Sequence, residues 1–284
     1  MAEQKPKAKG RGAKPDFATI AGIALAVGGI LGGLLLEGGE LKQVSQYTAA
    51  LIVLGGTFGA TLVSTPLATF VGAFARLKSV LFVPADDAPA QIEEIIGYAT
   101  KARKSGLVSL EADVDQIADR FVRKALTLAV DGTDLQELRK MLELEISLDE
   151  HHAEAESKVF EAAGGYAPTV GIIGAVLGLI QVMKHIANTD EVGKGIAVAF
   201  VATVYGVGVA NILLLPAAAK IKSRAQHEVQ MKELVLEGVL GIVEGLNPKL
   251  IRTKLEAFAP PEPASGKSKK GAAAAQASAA AAGD

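Results

Sequence analysis

The sequence predicts an all-α integral membrane protein with four transmembrane helices and a helical cytoplasmic domain. Three observations carry this. Residues 164–222 contain two apolar runs joined by the short polar link Lys184–Lys194, with no Asp, Glu, Lys or Arg inside either run. Two further runs of similar length lie near the N-terminus, at 17–36 and 48–70. Half of the 284 residues are hydrophobic, and the mean hydropathy is positive. A charge-free apolar run of about 20 residues is long enough to cross a bilayer as a helix.

Residues 1–16 are basic, with Lys5, Lys7, Lys9, Arg11 and Lys14 ahead of the first span, and are expected to be unstructured. The span at 17–36 is too long for the apolar region of a signal peptide, and no A-x-A-like cleavage site follows it, so it reads as a retained helix. Together with 48–70 it forms a first hairpin over 17–70. The spans at 165–183 and 195–219 form a second hairpin over 165–219. Pro168 and Pro216 each lie near the end of a span that faces charged sequence.

Small residues recur four apart in every span: Gly28 with Gly32, Gly29 with Gly33, Gly55 with Gly59, Gly174 with Gly178, and Ala202 with Gly206. Each pair lays a flat strip on one helix face and permits close backbone approach. Basic residues fix the orientation. Five precede the first span, Arg76 and Lys78 follow the second, and Lys220, Lys222 and Arg224 follow the fourth. The positive-inside rule then places both termini and the central segment in the cytoplasm.

The segment 71–164 is the main soluble part. Residues 76–164 hold 11 Lys/Arg against 18 Asp/Glu. Ile92, Ile95, Ile96 and Ala99 keep helical spacing, and Gly106 suits a helix stop. A second helix capped by Ser109 is expected to carry Val114, Ile117, Phe121 and Leu128. Asp131-Gly132 reads as a turn. Thr133 with Gln136 is a capping-box pattern, opening a third helix through Leu135, Leu138, Leu142 and Ile146 that continues toward span three. Residues 220–258 extend span four as a helix with Ile221, Ala225, Val229, Val235, Val239 and Ile242 on one face, ended by Gly245 and Asn247-Pro248. The tail at 259–284 is low-complexity and expected to be disordered.

Several function classes are excluded. Zero cysteines rule out disulfides, thiolate zinc sites and cysteine nucleophiles. A net charge of −2 does not suit a general nucleic-acid binder. No phosphate loop, Ser-His-Asp spacing or cofactor motif is visible, so no catalytic residues, cofactor or enzyme activity are expected. His152 with Glu156 is the one candidate metal pair, and a solvated helix face explains it better. The polar groups in spans three and four are Thr169, Thr203, Tyr205 and Asn211, each read as a structural hydrogen-bonding group. A membrane ion carrier ordinarily places an ionisable group in the bilayer. Spans three and four have none, so an ion-carrying carboxylate would have to come from a partner.

Four stretches are the most distinctive: Tyr166-Ala167-Pro168, Gly171-Ile172-Ile173-Gly174, Ala202-Thr203-Val204-Tyr205-Gly206, and Ser105-Gly106-Leu107-Val108-Ser109-Leu110-Glu111. With the two hairpins and the charged helical insertion, over about 17–258, they resemble the MotA/TolQ/ExbB proton channel family. Four spans rather than three resemble its MotA-type flagellar stator subunits more than its ExbB and TolQ branches. The resemblance implies a self-associated ring, a pentamer, around a MotB-type partner that lends the ion-carrying aspartate, and a cytoplasmic tip that works on the rotor protein FliG.

The resemblance also assigns residues. Arg103 and Glu111 match the charged pair facing the rotor. Pro168 and Pro248 match prolines tied to torque and ion flow, although Pro248 also reads as a plain helix stop. Sodium-driven relatives carry a threonine in span three and another in span four. Here those positions are Ala175 and Thr203. A hard cation requires oxygen ligands and Ala175 offers none, so protons are favoured. Two alternatives stay open at this point: an ExbB/TolQ-like energiser of outer-membrane processes, and a non-conducting structural membrane protein.

Overall fold

The computed structural model describes residues 14–83 and 88–258. The basic start and the Ala/Lys-rich tail fall largely outside the described residues. The chain is helical almost throughout. The elements are β1 (Lys14–Pro15), α1 (Phe17–Leu36), α2 (Leu41–Val44), α3 (Tyr47–Ser64), α4 (Leu67–Leu81), β2 (Phe82–Val83), α5 (Ala88–Ser105), α6 (Glu111–Val114), α7 (Arg120–Val130), α8 (Leu135–Lys184), α9 (Thr189–Gly208), α10 (Leu215–Val243) and α11 (Pro248–Leu255). Short 3-10 turns cover Leu107–Leu110 and Glu256–Phe258, and a π-helical turn covers Val209–Leu214. Four helical runs are long and apolar enough to cross a membrane: Phe17–Leu36, Leu41–Ser64, part of Leu135–Lys184 and part of Thr189–Val243.

Two compact units form. The membrane unit takes residues up to 83 and 140–233. The tip unit takes 88–139 and 234–258.

In the membrane unit, the first span matches the expected residues, with Asp16 as its N-cap accepting from Thr19 N at 3.2 Å. The second span ends earlier than the apolar run suggests. Its helix stops at Ser64, and α4 starts anew at Leu67. Pro66 explains the break: it cannot donate a backbone hydrogen bond, and it drives Thr65 into the extended region at φ −133°, ψ 137°. Below the break, Phe74 stacks with Phe58, Phe70 and Phe160 at centroid distances of 5.1–5.9 Å, tying α3 and α4 to α8. Ala73, Val80, Val159, Phe160, Ala163 and Ile221 are among the core residues beside this cluster.

The run through span four is continuous helix from Thr189 to Val243, with the π turn at 209–214 inside it. Pro216 accounts for that turn. It has no N–H for the carbonyl four residues back, so the ladder re-registers with wider rings just ahead of it.

Ionic pairs cluster where the spans give way to charged sequence. Arg76 on α4 pairs with Glu156 on α8 and, at 3.4 Å, with Glu228 on α10. Lys232 pairs with Asp149. Ser157 Oγ donates to Ala218 O at 3.0 Å. Asp16 is 7% exposed and accepts from Lys220 at 2.6 Å and Arg224 at 3.0 Å. The β1–β2 pairing, Lys14 with Val83 and Pro15 with Phe82, and Asp16 N donating to Leu81 O hold the entry to α1 against the end of α4. This two-residue ladder leaves the all-α class unchanged.

In the tip unit, Ile92, Ile95 and Ala99 face inward from α5 as expected. The single helix expected after Ser109 is instead two pieces. A 3-10 turn leads into the four-residue α6, and α7 starts afresh with Asp119 accepting from Val122 N at 2.9 Å. Asp119 is a better N-cap than any helix-interior residue, and the chain stops there to use it. The cap of α8 is Asp134, not Thr133: its Oδ1 accepts from Gln136 N at 2.9 Å and Glu137 N at 3.4 Å. Gly238 of α10 packs on Ile95, and Gly241 on Ile251 of α11. Glu93 and Arg252 join α5 to α11 by a two-pronged pair at 2.5 and 2.8 Å.

The Lys220 ammonium, then the Thr19 amide, hold the Asp16 carboxyl at about 2, below the usual 3.8. A depressed carboxyl pKa stabilises the fold above the unfolded value and loses that contribution as pH falls through the folded one. The Asp16 share of stability is therefore complete above about pH 4 and lost toward pH 2. Melting of the purified chain across that range should show a smaller acid loss in Asp16→Asn than in the parent. An identical acid profile would remove Asp16 from the account.

Candidate functional site

Spans three and four meet along a seam of small residues. A methyl placed on Gly171 would sit 3.0 Å from Ala202 O and 3.2 Å from Gly206 Cα. One on Gly174 would sit 2.8 Å from Ala202 Cβ, and one on Gly178 2.9 Å from both Ala199 N and Gly195 O. One on Gly206 would lie 2.5 Å from Ala167 O. The backbones of α8 and α9 thus touch along three turns, the geometry that small residues make available in a membrane. Of the expected pairs, Gly174/Gly178 and Ala202/Gly206 serve this seam. In span two the close approach is made by Gly56, against Val170 Cγ1 at 2.6 Å, whereas Gly55 and Gly59 meet nothing within 4 Å.

Pro168 lies inside the unbroken α8, half-buried beside Ala167. Its missing N–H leaves the Gly164 carbonyl without its regular helix partner, one turn before the seam begins. Ala175 is half-buried next to Gly174. Thr203 is half-buried too, with its backbone 3.5 Å from where a Gly171 methyl would lie. The Thr203 hydroxyl donates to Ala199 O at 3.2 Å, so it is spent on its own helix. Thr169 and Asn211 likewise bond their own helix, to Tyr166 O at 2.7 Å and Val207 O at 2.9 Å.

Tyr205 does more. Its hydroxyl donates to Val44 O and accepts from Gln46 N at 3.3 Å, fastening the α2–α3 junction to span four. Two buried polar residues of α3 escape sequence reading. Thr61 donates to Thr57 O at 2.8 Å, and the Thr57 hydroxyl has no hydrogen-bond partner among the described residues. Both look like ordinary apolar-run threonines in sequence, and no local signal marks them.

Arg103 and Glu111 flank the tip, Arg103 in the last turn of α5 and Glu111 opening α6. Both are exposed, and neither has an ionic partner among the described residues. Gly106 turns the chain between them at φ +82°, a region that side chains disfavour. Leu110 is fully buried beneath, and Lys101 clamps Asp113 at 2.6 Å. The tip therefore presents Arg103 and Glu111, both exposed, on a fixed scaffold.

Pro248, which also read as a helix stop, begins a helix. It occupies the first position of α11, after Asn247, whose side chain accepts from Lys249 N at 3.1 Å. It starts a helix, a place where its missing N–H is harmless. The possible metal pair is also accounted for, since Glu156 is held by Arg76 while His152 is exposed.

Four apolar crossings, a charge-free glycine seam and an insertion with an exposed charged tip define the class: a multi-pass membrane subunit built for close helix packing. Family models agree. The MotA/TolQ/ExbB proton channel family matches residues 113–234, and the Motility protein A N-terminal family matches residues 20–102. The chain is 36% identical to Motility protein A of Bacillus subtilis (strain 168) over 249 residues, 86% of this chain and 91% of that protein. Among solved structures, MotAB from C. jejuni superposes with a TM-score of 0.83 at 32% identity, covering 88% of this chain and 98% of the other. The flagellar MotAB stator complex from Bacillus subtilis gives a TM-score of 0.79 at 32% identity, covering 86% and 97%. The chain belongs to the MotA/TolQ/ExbB proton channel family.

Enlarging Gly206 should break the seam. Gly206→Val is expected to cost about 1–3 kcal/mol through overpacking, seen as a lower melting temperature of the purified protein. Gly193→Ala, in open space, should melt like the parent. Equal melting of both variants would contradict the seam.

Proposed function

We propose that this chain is a flagellar motor stator subunit of the inner membrane, which with a MotB-type partner converts proton flow into torque on the rotor and drives motility. The observation that carries the reading is the charge-free seam between α8 and α9, together with an exposed charged tip, in a chain that matches MotAB stator structures along most of its length. Basic residues at 76, 78, 220, 222 and 224 support termini on the cytoplasmic side.

The division of labour follows from the side chains. The seam contains no group that can hold a proton, so the partner's aspartate carries it. Pro168 loosens one backbone bond beside that carboxylate and lets the entry to span three bend as charge comes and goes. Ala175 and Thr203 flank the path; with one side lacking an oxygen and the other hydroxyl engaged by Ala199 O, no cage for a hard cation forms. Arg103 and Glu111 meet opposite charges on the rotor protein FliG, which sets register more than affinity. Pro248 pre-shapes α11 in the tip unit. Self-association into a pentameric ring supplies the surface on which the partner turns.

Deleting the gene should abolish swimming while leaving filaments in place. In cells carrying the chain, Arg103→Glu should cut swimming speed severalfold, and a matching charge reversal on the rotor should restore part of it. Unchanged motility after deletion would overturn the stator reading. A silent reversal, even combined with a change at Glu111, would overturn the role of the tip.

A further inference from the structure

The first span touches α4 and the π turn of its own chain without burying itself there. None of the 20 residues of α1 is buried, and its five glycines, at 22, 28, 29, 32 and 33, meet nothing within 4 Å. Glycine in a helix costs about 1 kcal/mol relative to alanine, and that cost is offset in a membrane where another backbone approaches. Among the described residues no such backbone comes from the same chain.

The end of α1 also carries an electrostatic mismatch. Its last turn holds no basic residue, and Glu37 occupies the C-cap, with Glu40 just beyond. An anion at a helix C-terminus opposes the helix dipole. Both carboxylates are exposed, and Glu37 has no ionic partner among the described residues.

A complementary site lies on the membrane unit. A cavity of about 550 Å³ opens between α3, α8 and α9. Ile52, Leu177, Ile180 and Val198 form its apolar wall, and Lys184 and Lys194 crown it. Lys194 leans on Glu191 at 3.5 Å, while Lys184 has no acidic partner among the described residues. The lysines belong to the link between spans three and four. Glu37 and Glu40 belong to the link between spans one and two, so both pairs lie on the same side of the membrane.

We propose that this cavity receives the first span of a second copy of the chain, with Glu37 and Glu40 of that copy against Lys184 and Lys194. Apolar side chains of α1 fill the wall, the glycine faces permit close approach, and the acidic end cancels the lysine crown at the membrane boundary. Each subunit then donates α1 to one neighbour and accepts α1 from the other, a head-to-tail contact that closes into a ring. The inference rests on the self-association stated above and adds which surfaces meet.

The chain contains no cysteine, so introduced pairs report cleanly. Leu35→Cys in one tagged copy and Ile180→Cys in a differently tagged copy, co-expressed with the partner subunit, should join on oxidation into a mixed disulfide dimer. Reversing Glu37 and Glu40 to Lys should lower recovery of the oligomer severalfold, and adding Lys184→Glu with Lys194→Glu should restore it. The mass of the unsubstituted complex, measured alongside, reports on self-association independently. An oligomer that forms no mixed disulfide, or retains phospholipid at the lysines instead, would overturn this contact and leave the stator reading standing. A parent chain that stays monomeric would overturn both.

Discussion

Everything in the membrane unit depends on the direct backbone contact between spans three and four. A bilayer offers no hydrophobic reward for bringing two apolar helices together, because lipid is as apolar as leucine. Close packing must supply the attraction, and it does so only where side chains are absent. Gly171, Gly174 and Gly178 on one helix and Gly195, Ala202 and Gly206 on the other meet that condition. The same contact leaves no room for an ionisable side chain, and it consumes the local hydroxyls: Thr203 bonds Ala199 O, and Tyr205 reaches across to the α2–α3 junction. A subunit built this way can frame an ion path without carrying the ion.

The charged residues are arranged to complement this. They lie beyond the spans, and several are paired across elements: Arg76 with Glu156 and Glu228, Lys232 with Asp149, Lys220 and Arg224 with Asp16. Asp16 is the informative case. It caps α1 and ties that helix to α10, which fixes one end of a span none of whose residues is buried. The backbone of α8 is continuous from Leu135, beside the tip-unit turn, to Lys184, past the seam.

Much of this was legible before any coordinates. Length and lack of charge identify all four crossings, and helical spacing identifies the buried faces of α5 and α10, because both signals are local. What sequence misses depends on competition between neighbours. Span two reads as continuing to residue 70 because Leu67–Phe70 is as apolar as the span itself, yet Pro66 has already ended the helix. Asp134 displaces Thr133 as cap, and Asp119 splits the helix expected after Ser109, since a stronger capping side chain lay a few residues away. Glycine spacing marks candidate contacts without saying which are used; Gly56, outside the Gly55/Gly59 pair, makes the contact with Val170. Pro248 reads as a stop because a proline after a glycine usually is one, and only the Asn247 cap shows that it starts α11. The exposure of Arg103 and Glu111 follows from their turn, whereas the role proposed for them rests on resemblance.

The central claim is that this chain frames a proton path whose carboxylate belongs to its partner. Swimming speed in sodium-free buffer, measured in cells that express the chain with its MotB-type partner as their sole stator, tests it most directly. Swimming should persist without sodium and stop on addition of a protonophore. Swimming that requires sodium and survives the protonophore would contradict the account.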